Sequence, residues 1–480
     1  MNAISSPLPL DPELCRRAYA ARDPRFDGRF FVAVITTGIF CRPVCPAPPP
    51  RAGNARYFGS AEAAIGAGFR PCRRCRPEAA PGSPAWQGVQ TTLQRALRLI
   101  DAGEWRGQPL AEFARRLGVS ERHLRALFRR HLGIAPLAYA NFRRALLAHR
   151  LLRETALPVP EVALLAGFGS ARRCAAACAR ALGATPRGLR RGRGTAADGL
   201  GLLLHYRPPY HWAGLRDFLA ARAIAGVEAV TETSYGRSFR VAGVRGAFVA
   251  EHCPQRHGFR VRLWFERPVP IAPAVARIRA LLDLDADPHA VAERLGRHPL
   301  LAGIGAPGLR LPGVWEPFEA GVRAVLGQQV AVGVARGLVA ELVARCGAPW
   351  QPPGGAPALE RLFPEPAAVL RADLRFLPIP GRRRAALQGL ARRLVAGGGA
   401  DPASWQAIPG IGPWTRAYAA LRLGHPDILL EADLGVRRAL HGLRRRSPQA
   451  PPLTADDCRP WGSYATLLLW QSPASILETN

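Results

Sequence analysis

The stretch from Gln406 to Asp433 carries residue types able to do chemistry on a nucleic-acid base. It reads Gln406-Ala-Ile-Pro-Gly-Ile-Gly-Pro-Trp-Thr-Arg-Ala-Tyr418, and Asp433 follows fifteen residues later. Gly410-Ile411-Gly412 predicts a tight turn whose amides open a helix, an arrangement suited to a phosphate. Trp414 and Tyr418 stand one helical turn apart on one face, and Asp433 lies where the next loop would return toward them. An aromatic wall, a lone carboxylate and a phosphate-holding turn are what an enzyme that flips a base out of a duplex needs. The competing readings are core packing for one of the tryptophans and a helix N-cap for Asp433.

A second chemical group lies near the start of the chain. Cys41 and Cys45 form C-x3-C, and after twenty-six residues Cys72 and Cys75 form C-x2-C. Two such knuckles close a tetrahedral thiolate site, which points to one zinc ion in a region too small to be held by its core alone. Spacing by itself describes a structural zinc. Arg42, Arg70, Arg73, Arg74 and Arg76 crowd these cysteines, which sets the site against phosphate. The other six cysteines are too sparse for a disulfide scaffold in 480 residues.

The elements that must position these groups read as four domains of a multidomain α+β chain. Residues 30–37 predict a buried strand and 60–67 a short amphipathic helix, giving a small α/β domain over 1–80. Residues 79–84 and 190–199 are linkers by composition. Between them, 86–192 is all-α. Leu110, Phe113, Ala114 and Leu117 form an apolar face, Gly118-Val-Ser120 a turn and cap, and 121–130 a helix carrying Arg122, Arg125, Arg129 and Arg130. A second copy runs 159–166, 167–170 and 171–182, joined to the first by a helix over 138–152. That is helix-turn-helix grammar, with an ordinary basic bundle as the competing reading of either copy alone. Cys174 and Cys178 in the second copy read as small core hydrophobes. Residues 201–285 alternate as strands around one helix, an α/β cap domain without a catalytic constellation, and 286–480 read as helices with short loops, including one that ends at Gln328-Gln329.

The net charge of +31 and pI near 11.4 call for a polyanionic partner, double-stranded DNA first. No apolar run approaches a transmembrane length, so the expectation is a soluble, cytoplasmic chain without a membrane partner. All 66 basic residues are arginine, so no side-chain amine exists to form a Schiff base with a sugar.

On these residues the chain resembles known families. Thr36-Thr-Gly-Ile-Phe-Cys41-Arg-Pro-Val-Cys45 and Ala67-Gly-Phe-Arg-Pro-Cys72-Arg-Arg-Cys75 are similar to the N-terminal domain of Ada alkylation-response regulators. The resemblance implies that Cys41 is both zinc ligand and nucleophile, accepting a methyl group from a DNA methylphosphotriester. Residues 86–192 resemble the AraC-type DNA-binding domain, with Cys174 and Cys178 where that family packs phenylalanines, so DNA binding with weakened operator reading is expected. From Leu202 to Trp470 the chain resembles AlkA-type glycosylases of the helix-hairpin-helix superfamily, through Tyr206-Arg-Pro-Pro-Tyr-His-Trp212, Pro409-Gly-Ile-Gly-Pro-Trp-Thr415, Asp433 and Trp461-Gly-Ser-Tyr-Ala-Thr-Leu-Leu-Leu-Trp470.

The AlkA-type resemblance implies a monofunctional hydrolase, because Trp414 fills the slot where glycosylase/lyases carry lysine. An iron–sulfur cluster is not expected, since Cys458 stands alone near the C-terminus. Asp433 is the implied catalytic carboxylate, Trp414, Tyr418 and Trp470 the cleft for a cationic alkylated purine, and Gln329 with Gln328 the wedge. Gly410 and Gly412 would meet a DNA phosphate, and the carbonyls of Gln406, Ile408 and Ile411 would hold Na+ or K+. Arg42, Arg73, Arg122 and Arg125 are expected on DNA, no organic cofactor is expected, and the partner is double-stranded DNA with alkylation damage met by a monomer. Two alternatives stand beside this: a methylation-responsive regulator with a degenerate glycosylase module, and a glycosylase whose residues 1–192 serve only as a zinc-stapled DNA clamp.

Overall fold

A computed structural model describes residues 11–22, 26, 30–45, 47–59, 61–72, 75, 77, 92–105, 107–190, 199–305, 307–352 and 359–472. The linker expected at 79–84, and residues 191–198 of the one expected at 190–199, lie outside the described residues. Contacts divide the chain into two units. The first runs to Pro208 and adds 254–260 and 267–277; the second comprises 209–253, 261–266 and the chain from Ile278 onward.

In the first unit, α1 (Pro12–Ala20) begins where the Asp11 carboxylate accepts from Glu13 N–H. A four-stranded sheet follows in the order β3-β1-β2-β4, from β1 (Phe31–Val34), β2 (Ile39–Cys41), β3 (Ala55–Phe58) and β4 (Arg70–Pro71). The strand expected over 30–37 ends at Val34, because Thr37 and Gly38 N–H groups bond back to the Val34 carbonyl and Gly38 takes a left-handed φ of 64°. That turn returns β2 antiparallel, with Cys41 opposite Val32. Helix α2 (Ala61–Gly66) is shorter than expected, and a Cβ on Gly66 would stand 3.1 Å from the Leu132 carbonyl oxygen.

The helices α3 (Thr92–Asp101), α4 (Leu110–Arg116), α5 (Glu121–Leu132), α6 (Pro136–Glu154), α7 (Val159–Leu165), α8 (Ala171–Leu182) and α9 (Pro186–Leu189) follow, then β5 (Leu200–His205). The α4–α5 and α7–α8 pairs repeat one framework. Ser120 and Ser170 cap their second helices by accepting from His123 N and Arg173 N, and left-handed Gly133 and Gly183 end them. Leu124 and Phe128 are fully buried on α5; Cys174 and Cys178 hold the same places on α8, also fully buried.

In the second unit, α10 (Trp212–Ala220) precedes β6 (Glu228–Val230), β7 (Ser234–Val241), β8 (Val244–Cys253) and β9 (Gly258–Phe265), of which 261–265 belong to this unit. Strands β7 and β8 join through Ala242-Gly243, both at positive φ, as a two-residue hairpin requires. After α11 (Ala272–Leu281), split between the units at 277, the chain is helical: α12 (Pro288–Leu295), α13 (Pro317–Leu326), α14 (Val332–Cys346), α15 (Pro366–Arg371), α16 (Gly381–Val395), α17 (Pro413–Arg422), α18 (Leu434–Arg446), α19 (Ala455–Cys458) and α20 (Gly462–Trp470).

Helix α13 is the axis of this core: Phe318 through Leu326 are all buried, among Leu342, Leu387, Leu390 and Trp405. It carries two charges inward. Glu319 meets Arg237 of β7 at 2.9 Å, and Arg323 bridges Glu319 at 2.9 Å and Glu228 of β6 at 2.5 Å, so buried charge of both signs is paired. Burial raises Glu319, but Arg237 and Arg323 outweigh it and hold its carboxyl at about 2.

Candidate active site and metal centre

The hairpin at 408–412 leads from a 3-10 helix, Pro402–Ala407, into α17; the element before the turn is tighter than an α-helix. Of its two glycines, Gly410 needs its identity for backbone reasons: φ is 87°, and a Cβ would press on Ala386 Cβ at 3.1 Å. Gly412 is the N-cap of α17, no side chain caps it, and Pro413 follows at the first helical position. Gln406, Gly410 and Gly412 are exposed while Ile408 and Ile411 are buried, and the Ile408 carbonyl accepts from Ile411 N–H at 3.1 Å.

Helix α17 presents Trp414 and Tyr418 stacked at 5.3 Å, and Tyr418 lies 6.2 Å from Trp470 at the end of α20. Asp433 stands at the N-cap of α18. Its Oδ1 accepts from Gly435 N at 2.9 Å, Val436 N at 3.2 Å and Trp470 Nε1 at 2.9 Å; its Oδ2 accepts from Trp414 Nε1 at 3.0 Å. Cap and aromatic cleft therefore share one carboxylate. The two glutamines separate. Gln328 donates through Nε2 to the Gly410 carbonyl and to Thr415 Oγ1, tying the end of α13 to the hairpin. Gln329 is exposed and left-handed, with φ at 54°.

Sequence reasoning passed over the far wall of the cleft. Phe218, on α10 of the region expected to contain no catalytic constellation, stacks on Trp470 at 6.1 Å. Arg222 lies over its ring at 3.7 Å, and buried Arg422 donates to Tyr418 Oη at 3.1 Å. Burial would raise the Tyr418 phenol, but Arg422 and Arg222 outweigh it and draw it below its ordinary value. The available signal was the i, i+4 pair Phe218 and Arg222, which puts an aromatic ring and a guanidinium on one face.

The four sulfurs of Cys41, Cys45, Cys72 and Cys75 lie within 4.8 Å of one another. Cys72 N–H bonds the Phe40 carbonyl, and Arg42 N–H points at Cys75 Sγ at 3.4 Å, so backbone donors fix both knuckles. Contacts with its neighbouring thiols, Cys45 first, push Cys41 well up; a hydrogen bond from Cys41 brings Cys45 down to about 7. Four thiols crowded at one point fit a divalent soft-ligand metal, and zinc suits this donor set. Cys41 is 5% exposed and Cys45 1%, while Cys72 and Cys75 are partly exposed. Arg42 is half-buried beside them, Arg122 is exposed on α5, and Arg125 is exposed but paired with Glu121 at 2.5 Å. Arg73, Arg74 and Arg76 lie outside the described residues.

Family models for the metal-binding domain of Ada, a helix-turn-helix domain and the AlkA N-terminal domain match residues 14–78, 113–192 and 201–316. A Mycobacterium tuberculosis (strain H37Rv) protein named "Probable bifunctional transcriptional activator/DNA repair enzyme AlkA" is 39% identical over 484 residues, covering 96% of each chain. The chain belongs to this family of bifunctional AlkA proteins. The DNA-3-methyladenine glycosylase 2 of Escherichia coli is 35% identical over 288 residues, 56% of this chain and 95% of its own. The Escherichia coli "Bifunctional transcriptional activator/DNA repair enzyme Ada" is 40% identical over 135 residues, 28% of this chain and 36% of its own. The multidomain α+β architecture accords with this membership, and among the described residues no helix is long and apolar enough to cross a membrane.

Proposed function

We propose that the chain repairs alkylated double-stranded DNA, working as a monomer, by hydrolysing the bond between deoxyribose and an alkylated purine. The observation that carries this reading is the Asp433 carboxylate, which takes one indole N–H on each oxygen, from Trp414 and Trp470. A purine alkylated at N3 or N7 is cationic and leaves as a neutral base, so no strong acid is needed. Trp414, Tyr418, Trp470 and Phe218 hold the flipped base by stacking. Asp433 stabilises the oxocarbenium that grows at C1′ as the electron pair moves to the base, and it orients the water that replaces it. Gly410 and Gly412 offer the hairpin amides to a phosphate, the carbonyls of Gln406, Ile408 and Ile411 hold a Na+ or K+ ion beside it, and Gln329 enters the emptied stack. No organic cofactor takes part.

Residues 1–80 act as a methyl acceptor. Zinc held by Cys41, Cys45, Cys72 and Cys75 would keep their sulfurs ionised. The Cys41 sulfur attacks the methyl carbon of a methylphosphotriester, the C–O bond breaks, and the phosphate leaves as a diester anion. Arg42, Arg73, Arg122 and Arg125 hold the duplex while residues 86–192 dock it, 201–285 support the cleft and 286–480 supply the hydrolase. The test is release of 3-methyladenine and 7-methylguanine from methylated DNA by the wild type and by Asp433→Asn: release by the wild type alone supports the assignment, and equal release by both overturns it.

A further inference from the structure

Two guanidiniums sit behind the aromatic cleft, and among the described residues no carboxylate pairs with either. Arg422 is 2% exposed, and its donors go to the carbonyls of Pro312 at 2.7 Å and Gly313 at 3.1 Å and to Tyr418 Oη at 3.1 Å. Arg222 packs on Phe218 and donates to that residue's carbonyl at 3.3 Å. Among the described residues neither makes an ion pair, whereas the neighbouring Arg237 and Arg323 are both paired with buried glutamates. Contacts lead from Asp433 to these charges by two routes. One passes through Trp414 and Tyr418 to Arg422, the other through Trp470 and Phe218 to Arg222. Each route places a negative charge at one end of an aromatic pair and a positive charge at the other.

We infer that Arg222 and Arg422 are positioning residues whose fixed charge, at the opposite end of the aromatic wall from Asp433, draws the bonding electron pair onto the departing base. The inference rests on the glycosylase reading of this cleft. As the bond between C1′ and the purine nitrogen breaks, its electron pair moves onto the base, the sugar becomes cationic and a water oxygen then bonds C1′, releasing its proton to solvent. A cationic base becomes neutral in that step. Positive charge behind the base therefore disfavours the bound cation and is relieved as the bond breaks, while Asp433 gains from the sugar cation. The arrangement weakens ground-state binding and speeds cleavage, and its charges are already in place before reaction, so no reorganisation is required.

The two roles separate in single-turnover kinetics on a duplex containing one 7-methylguanine. Arg222 is the residue to change, because the buried network touches only its carbonyl, which accepts from Arg323 at 2.8 Å. A guanidinium one ring removed from the base contributes less than a direct oxyanion donor, so Arg222→Gln is expected to slow the cleavage step about ten-fold. Its affinity for the lesion duplex should hold or tighten, and Arg222→Lys should keep most of the wild-type rate. An unchanged rate in Arg222→Gln overturns the inference, as does a rate lost equally in Arg222→Lys, which would mark a structural contact. A wild type that releases no 7-methylguanine instead overturns the glycosylase reading itself.

Discussion

Asp433→Asn separates the helix cap that Asp433 makes from the catalysis proposed for the same side chain. The asparagine oxygen can replace Oδ1, keeping the bonds from Gly435 N, Val436 N and Trp470 Nε1, and asparagine caps helices as well as aspartate does. Its amide nitrogen then occupies the place of Oδ2 and meets Trp414 Nε1, donor against donor. Leaving that half-buried indole N–H unpartnered costs about 1–2 kcal/mol. For a domain of this size that lowers the melting temperature by about 2–8 °C. The chemical loss is larger, because the anion facing the sugar cation disappears. Removal of a preorganised charge-stabilising group costs about 3–4 kcal/mol, so the cleavage step should slow about 100- to 1,000-fold. Single-turnover release of 7-methylguanine from a duplex at saturating enzyme reads the second number, and thermal unfolding reads the first. A variant that melts within this window but cleaves within three-fold of wild type would refute the catalytic role of the carboxylate and leave it a cap.

Burial raises Asp283 to about 6. An acid raised above its unfolded value contributes stability that is complete below about pH 4 and is lost as pH rises through 6, here about 3 kcal/mol. Its Oδ2 accepts from both Leu311 N and Tyr464 Oη, bonds an asparagine oxygen can keep, so the wild-type loss between about pH 4 and 6 should be absent from Asp283→Asn in urea unfolding; equal slopes would refute it. Phe128→Ala should cost the first helix-turn-helix about 3–5 kcal/mol, whereas Cys178→Ala at the matching place in the second removes one atom and should cost about 1 kcal/mol. Comparable losses in chemical unfolding would show that the two cores are equally filled. Purified chain should carry about one zinc per molecule by elemental analysis, and Cys75→Ala should lose it with melting of residues 11–77. Metal retained at full stoichiometry by that variant would exclude the four-cysteine site.

What the sequence disclosed was local. The Cys41–Cys45 and Cys72–Cys75 knuckles, both capping serines of the helix-turn-helix copies and the Gly410 turn depend on neighbours a few residues away, and spacing reveals them. Asp433 as a cap was legible for the same reason. Its place in the aromatic cleft depends on Trp470, 37 residues distant, and the cleft's far wall depends on Phe218, near the opposite end of the unit in sequence; no periodicity connects such positions. The strand expected over 30–37 forms but ends at Val34, because β-branched composition masked the turn at Thr37 and Gly38.

The net charge of +31 calls for a polyanionic partner, yet not all of it is on the surface. Part of that charge is spent inside the fold. Arg310 donates to the carbonyls of Pro209, Asp283 and Ala286, Arg384 to those of Leu377 and Ile379, and Arg422 to those of Pro312 and Gly313. A guanidinium fork can satisfy several buried carbonyls at once and stays ionised there, which a lysine ammonium does less well. Charge recruited to close loops thus remains as charge in the interior, and at Arg422 it lies against the aromatic cleft, where the proposed cleavage would move an electron pair toward it.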